Sequence, residues 1–422
     1  MRLEIKNIGK LAEADIELNG ITVIAGENNT GKSTVSKALY SIFNSLYKVD
    51  EHINLERKNS IRRLLRIIHR PSIMNNRLAE RIIKNSSNKH YDVSDIESDI
   101  ISFLQRIKKD SSKFGDEESY EILQMAEQIY RAINIPREQL FNTFLERAFE
   151  AEFHGQICNM FTDDESYVKL TIKSDTVSAY FKKDKTVGIE NMIYLVSQST
   201  YIDDPYVLDN LDNNSYYYNY YMNSTFSEAP HRINLKQRVR KSKTELSLLD
   251  EILVNDRLEN IYSKINSICE GELYQESDSF FYAMPDVSEP IDINNVSTGL
   301  KTFVIIKSLL QNGEIGEKST LILDEPEIHL HPEWQILFAE IIVLLQKEFD
   351  MTILINTHSP YFLEAIEVYS DKYDIKNKCK YYLAANVEKT STIRDVTDEI
   401  EKIYKKLAEP FQKLENTRFS DE

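Results

Sequence analysis

The stretch "GENNTGKST" (Gly26 to Thr34) satisfies G-x-x-x-x-G-K-[ST] at every fixed position. In such a loop Gly26, Asn28, Asn29, Thr30, Gly31, Lys32, Ser33 and Thr34 surround phosphates with backbone N–H groups and a helix N-terminus. Lys32 is the residue that reaches the β- and γ-phosphates, and the Ser33 hydroxyl is suited to Mg²⁺. A second stretch, "STLILDEPEIHLHP", carries two adjacent acids. Asp324 is a candidate to hold Mg²⁺, directly or through water, and Glu325 to polarise an attacking water. A third, "MTILINTHSP", brings His358 out where a γ-phosphate can be sensed. Together they imply a nucleoside-triphosphate site with Mg²⁺ as cofactor. His329 and His331 in "EIHLHP" lack a third ligand nearby and read as a structural turn.

The elements around these residues follow from pattern. "LEIKNI", "AEADIEL" and "GITVIAG" alternate as strands, punctuated by Gly9, Asn19 and Gly20. From Lys32 onward Val35, Ala38, Leu39, Ile42, Phe43 and Leu46 recur at three and four, the mark of an amphipathic helix. Thr320 to Leu323 form a short apolar strand that delivers Asp324 and Glu325 at its end. Residues 50–155 read as mainly helical, with "IESDIISFLQRI", "SYEILQMAEQIYRAI" and a helix opening at Pro136. No heptad is sustained, so long coiled-coil arms are not expected. Strands return at "YVKLTIKS", "VSAYFKK" and "NMIYLVSQ". A tyrosine-rich polar segment follows at 209–230, then helical periodicity from Glu245 to Cys269. "NNVSTGLKTF" reads as a capped helix start. Past His358 come a strand, "KYYLAAN", and a terminal helix.

With these residues quoted, the sequence resembles the ABC-type ATPases of the SMC and OLD-like branch, which includes ATPase subunits of bacterial anti-phage systems. The resemblance covers roughly 1–47, 160–205 and 270–410, and rests on Gly26–Thr34, "LDEPEIHLHP" and "NTHSP". It implies an α/β fold: an ABC-type P-loop ATPase head, a mixed β-sheet with flanking helices, interrupted by an inserted helical lobe. The head is then 1–47 with 160–410 and the lobe 48–159. A further insert spans 206–270, and 411–422 is a tail. By resemblance Glu325 is the catalytic glutamate, His358 the switch histidine and Glu327–His331 the loop along a dimer seam. Gln198 matches a glutamine that touches Mg²⁺. "VSTGL" falls at the signature motif "LSGGQ", with Ser297 and Gly299 matching and Thr298 and Leu300 departing. In the family this motif binds the γ-phosphate held by the opposite protomer. The free N–H groups of a helix start, with Ser297, suit that task, and Lys301 adds charge.

Bulk properties bound the partners. With 422 residues, 41% hydrophobic and 28% charged, the chain has an ordinary globular composition. No apolar run approaches the roughly 18–20 residues of a membrane span, the N-terminus carries no signal-peptide pattern, and three cysteines follow no metal spacing. A cytoplasmic protein with no membrane partner is the expectation. The net charge of −17 argues against indiscriminate nucleic-acid binding. Two basic runs keep a local contact open: Arg57–Lys89, with Glu80 as its acid, and "HRINLKQRVRKSK" from His231. The segment after His358 is too short for a fused nuclease domain. The expected partners are therefore a second copy of the chain, forming a homodimer or higher oligomer, and a separately encoded effector such as a nuclease or toxin. A DNA-repair or chromosome-type ATPase is the alternative. A transporter ATPase is disfavoured by the long stretch between Lys32 and Ser297.

Overall fold

A computed structural model describes residues 1–67, 101–102, parts of 124–132, 134–210, 229–241, 248–276 and 279–419. The two expected helices "IESDIISFLQRI" and "SYEILQMAEQIYRAI" lie largely outside the described residues, as does most of the tyrosine-rich segment. The chain divides into two compact units. One comprises Met1–Tyr47 and Leu145–Glu422, the other Lys48–Phe144.

The first unit is built on a sheet in which eleven strands are described, in the order β6-β5-β4-β1-β2-β14-β13-β3-β12-β11-β7. Its antiparallel wing is β1 (Arg2–Ile8), β2 (Leu11–Glu17), β4 (Ser166–Ile172), β5 (Asp175–Lys182) and β6 (Lys185–Glu190). The strand β1 buries Leu3 and Ile5 while Arg2 and Lys6 face out, the alternation of a sheet wetted on one face. The parallel centre is β3 (Ile21–Gly26), β12 (Thr352–Thr357), β11 (Thr320–Asp324) and β7 (Ser199–Ile202). These strands read as continuous apolar runs because helices cover both faces: every residue of β3 and β11 is buried. Between the wing and the centre lie β13 (Cys379–Val387), parallel to β3, and β14 (Thr390–Asp395), which pairs with β2.

The helices are α1 (Lys32–Leu46), α2 (Val49–Ile67), α3 (Arg137–Phe153), α4 (His231–Val239), α5 (Leu248–Asn266), α6 (Thr298–Gln311), α7 (Pro332–Phe349), α8 (Pro360–Lys372) and α9 (Glu401–Phe419). All six apolar positions that define the stripe of α1 are buried. A small antiparallel sheet, β8 (Glu272–Glu276), β9 (Ser279–Ala283) and β10 (Ile291–Asp292), precedes α6.

Three features differ from the sequence reading. "NMIYLVSQ" is an irregular connection, and its strand begins only at Ser199, whose N–H is held by Asn44 Oδ1 at 2.8 Å. A second C-terminal strand, β14, follows β13. The division between units falls after Phe144, earlier than the 159 expected. From there α3 turns Leu145 and Phe149 into the first unit, and Phe149 packs 4.8 Å from the Phe181 ring of β5.

Candidate functional site

The parallel strands end on one edge of the sheet, and the chemistry-bearing residues emerge there. The register pairs Ile24 with Asn356, Asn356 with Asp324 and Leu323 with Ile202, so four strand ends open side by side. The crevice beyond such carboxyl ends is where parallel α/β sheets bind ligands.

Two glycines set the loop between β3 and α1. A Cβ on Gly26 would lie 2.3 Å from the Ala384 carbonyl oxygen of β13. Gly31 takes φ 83° at the N-cap of α1, and a Cβ there would lie 2.7 Å from Leu11. The left-handed backbone is open to glycine at little cost. Asn28, Asn29 and Ser33 are exposed, Thr34 is half-buried, and Thr30 bonds the Glu27 carbonyl at 2.8 Å. Lys32 is buried, its Nζ folded across the loop onto the carbonyls of Gly26 (3.0 Å) and Glu27 (2.9 Å). Burial holds this ammonium below its ordinary pKa, with Glu325 and Asp324 pulling the other way.

Asp324 ends β11 with both oxygens occupied: Asn356 Nδ2 donates to Oδ1 and the Tyr201 hydroxyl to Oδ2, each at 2.8 Å. Asn356 also reaches Ser36 Oγ of α1 at 2.8 Å, tying β12, β11 and α1 together. Glu325 turns out of the strand at φ 52°, in the left-handed region that non-glycine residues rarely enter. Its N–H donates to the Asn356 carbonyl at 2.9 Å. The turn directs its carboxylate between an ammonium and an imidazole: Oε1 lies 3.8 Å from Lys32 Nζ and 3.5 Å from His358 Nδ1. The His358 contact, ahead of Lys32, draws the Glu325 carboxyl below its usual pKa, against the effect of burial. The imidazole of His358 is raised in return, chiefly by Glu325.

Sequence reasoning placed Glu327 at the start of the seam loop but gave its carboxylate no role. This buried carboxylate accepts from Thr357 Oγ1 (2.5 Å), His358 N (3.1 Å) and Ser359 N (3.3 Å). Burial raises its pKa, opposed by those donors. It joins the turn after β11 to the exit of β12. Asn356 and Glu327 both stand in the quoted motifs, but only the strand pairing assigns them these contacts.

Gln198 does not join the group. It precedes the first residue of β7, whereas Asp324 stands beyond the last. A strand rises ~3.3 Å per residue, which leaves Gln198 roughly 13 Å behind Ile202. The site end of β7 instead presents Tyr201, Asp203 and Asp204. Here Tyr201 stacks on His231, whose ring lies between Glu152 and Asp203. Burial alone would lower the His231 pKa, but the two carboxylates prevail and raise it to about 9.

The helix start at Ser297 is present as expected, with Ser297 the exposed N-cap of α6 and its side chain free of a capping bond. Thr298 is half-buried, and Gly299 packs so closely on the turn after β11 that a Cβ would lie 2.7 Å from the His329 carbonyl oxygen. Lys301 departs from expectation. Its side chain is buried and ion-paired with Asp209, because one helical turn past the N-cap points inward at the 3₁₀ turn Pro205–Asn210. It lends no charge to the exposed helix start.

His329 sits edge-on to Tyr206 and His331 caps α7. Among the described residues no group of three or more His, Cys, Asp or Glu could hold a metal by itself. In the basic run at α4, exposed Arg232 pairs with Asp203, and buried Arg238 and exposed Lys241 both pair with Glu314. Most side chains of Arg57–Lys89 lie outside the described residues. No described helix is long and apolar enough to cross a membrane.

Comparison with solved structures finds SMC heads. The SMC head domain from Thermotoga maritima is 15% identical, with 94% of this chain and 98% of that one covered at a TM-score of 0.36. An SMC head bound to the C-terminal winged-helix domain of ScpA is 10% identical, with 95% and 98% covered and a TM-score of 0.39. An SMC head with an extended coiled coil, bound to a ScpA domain derived from Pyrococcus furiosus, is also 10% identical, with 97% and 98% covered and a TM-score of 0.34. The AAA ATPase domain matches residues 1–363, which takes in the phosphate loop, both acids and His358. With that match spanning most of its length and the P-loop set on a mixed α/β sheet, the chain belongs to the AAA ATPase domain family.

Proposed function

We propose that the chain hydrolyses ATP with Mg²⁺, and that a second copy completes its site. One observation carries the hydrolytic reading: Glu325 Oε1 lies between Lys32 Nζ at 3.8 Å and His358 Nδ1 at 3.5 Å, on the edge where the phosphate loop opens. That is a base, a phosphate-binding cation and a sensing group within reach of one small ligand. The ion pairs hold Glu325 deprotonated, the form that orients and polarises a water. His358 Nδ1, 3.5 Å from Glu325 and 3.8 Å from Glu327, would exchange these carboxylates for a phosphate oxygen. Lys32 would exchange two backbone carbonyls for phosphate oxygens when ATP enters.

Mg²⁺ fits the donors present. Ser33 supplies a hydroxyl and Asp324 a carboxylate, and Mg²⁺ commonly takes one or two carboxylates with substrate phosphates and waters, not an all-protein cage. Bound there, the ion would neutralise charge on the phosphates. Asp324 would hold it from the end of β11 and Ser33 from the start of α1. Phosphate release tests this reading. Glu325→Gln is expected to lose about 10²-fold or more in rate while still binding nucleotide, and Lys32→Ala to lose both. A Glu325→Gln protein that turns over at the wild-type rate sinks it.

The start of α6 supports the composite site, since Ser297 lies exposed and makes no side-chain capping bond. ATP with Glu325→Gln is then expected to raise the fraction of dimer on size-exclusion chromatography. No more association than with Lys32→Ala would remove the in-trans contact. The regulatory role, gating a separate effector in anti-phage defence through the lobe 48–159, rests on the sequence resemblance. It is favoured over direct DNA clamping because Arg232, Arg238 and Lys241 of the α4 basic run are each paired with a carboxylate of the same unit. Co-purification with an effector whose activity follows both variants supports it; an effector indifferent to both opposes it.

A further inference from the structure

Tyr201 is almost wholly buried on β7, yet its hydroxyl donates to Asp324 Oδ2 at 2.8 Å. Asn356 holds Oδ1 at 2.8 Å. A carboxylate offers about four lone-pair sites, so each oxygen keeps one for a cation. Beneath this bond the Tyr201 ring stacks on His231, with 4.0 Å between centroids and 24° between planes. His231 is fixed from both sides, Nδ1 lying 2.8 Å from Glu152 and Nε2 3.0 Å from Asp203. Its own N–H donates to Glu152 Oε1 at 2.6 Å, so backbone and ring are both anchored on α3. Phenylalanine would fill the same core volume without an oxygen to satisfy. What the hydroxyl adds is a fixed orientation for Asp324.

We propose that Tyr201 is a positioning residue for Asp324, and that His231, clamped by Glu152 and Asp203, holds Tyr201 in place. The inference rests on the reading of Asp324 as the carboxylate that takes Mg²⁺. Outer partners of metal-binding carboxylates commonly set affinity, and their loss costs about 10–100-fold. This set reaches Asp324 from the end of β7, where the sequence had pointed to Gln198.

The test titrates Mg²⁺ against binding of a fluorescent ATP analogue, with a parallel series in EDTA. Tyr201→Phe keeps the ring stack and loses only the donor. It is expected to raise the Mg²⁺ half-saturation about tenfold, with EDTA affinity within about twofold of wild type and an unchanged circular-dichroism spectrum. Wild-type Mg²⁺ half-saturation overturns the proposal. So does an equal loss of affinity with and without Mg²⁺, which would make Tyr201 a purely structural residue. Should Tyr201→Phe fail to fold, Glu152→Gln decides: a smaller rise in Mg²⁺ half-saturation is expected, and none overturns it. A wild-type chain that binds no nucleotide overturns the ATPase reading and this inference together, whereas a normal wild type with an unaffected variant overturns the inference alone.

Discussion

At the scale of single residues, the site is a set of opposed charges held at an edge of the sheet. Glu325 and His358 shift each other in opposite senses, and the signs define where the pair persists. The lowered carboxyl contributes stability that is present above its unfolded pKa and lost as pH falls through its folded value. The raised imidazole contributes stability that is present below about 6.5 and lost as pH rises through its folded value. The pair therefore spans the mildly acidic to neutral range. NMR titration of the His358 ring is expected to show a midpoint above that of a free imidazole, and Glu325→Gln to lower it, with Glu327 retaining part of the shift. An identical midpoint in both proteins would dissolve the pair. His231 gives a second pH signature. With Glu152 hydrogen-bonded to it, Asp203 ion-paired with it, Arg232 on Asp203, and the rings of Tyr201 and Tyr40 against it, its stabilisation is full below about 6.5. It is lost as pH rises through about 9. The wild-type melting temperature is expected to fall across pH 7–9.5 more steeply than that of His231→Gln; parallel slopes would count against a protonated His231.

At the scale of elements, two joints hold the site's edges. Glu327 binds the turn after β11 to the exit of β12 through three donors. Removing it strands the Thr357 hydroxyl and the His358 N–H, while the Ser359 N–H keeps its bond to Thr357 Oγ1 at 3.0 Å. Glu327→Ala is expected to cost about 2–4 kcal/mol in urea denaturation, and a cost near zero would mean that water replaces the carboxylate. The second joint is the contact of α6 with the same turn at Gly299. A methyl there meets a backbone carbonyl, which cannot swing aside as a flexible side chain would. Gly299→Ala is expected to cost about 1–3 kcal/mol and to weaken ATP-driven association. Full association with an intact fold would show that the turn moves freely. Lys307 anchors the body of this helix, donating to the carbonyls of Cys269 and Gly271 and to Asn266 Oδ1. The entry to α6 is thus set by the turn and its middle by the end of α5.

At the scale of the whole molecule, the phosphate loop, both acids, His358 and the helix start at Ser297 all belong to the first compact unit, and Lys48–Phe144 contributes none of them. Nucleotide should therefore stabilise the units unequally. A ligand at 100 times its Kd adds about 2.7 kcal/mol to the state that binds it. ATP with Mg²⁺ is expected to raise the melting of the first unit while leaving any separate transition of the second in place, and Lys32→Ala to abolish the rise. A shift in Lys32→Ala as large as in wild type would locate the nucleotide elsewhere.

The sequence alone determined the phosphate loop, the acid pair and the histidine, because each depends on local order: a glycine turn before a helix, two carboxylates after four apolar residues, a polar exit from a strand. It also determined the apolar core strands around Asp324 and His358, since strands covered on both faces read as unbroken apolar runs, whereas their parallel direction came only with the pairing. Only the tertiary structure decided which strand ends share an edge. That pairing separates Gln198 from Asp324 and brings Tyr201 to it, while the packing of α6 on the 3₁₀ turn sets Lys301 inward on Asp209. It also draws Glu327, Asn356 and His231 into contacts that no spacing along the chain encodes. Sheet order and register join residues far apart in sequence, so a motif fixes what a side chain can do, while the strand beside it fixes what it meets.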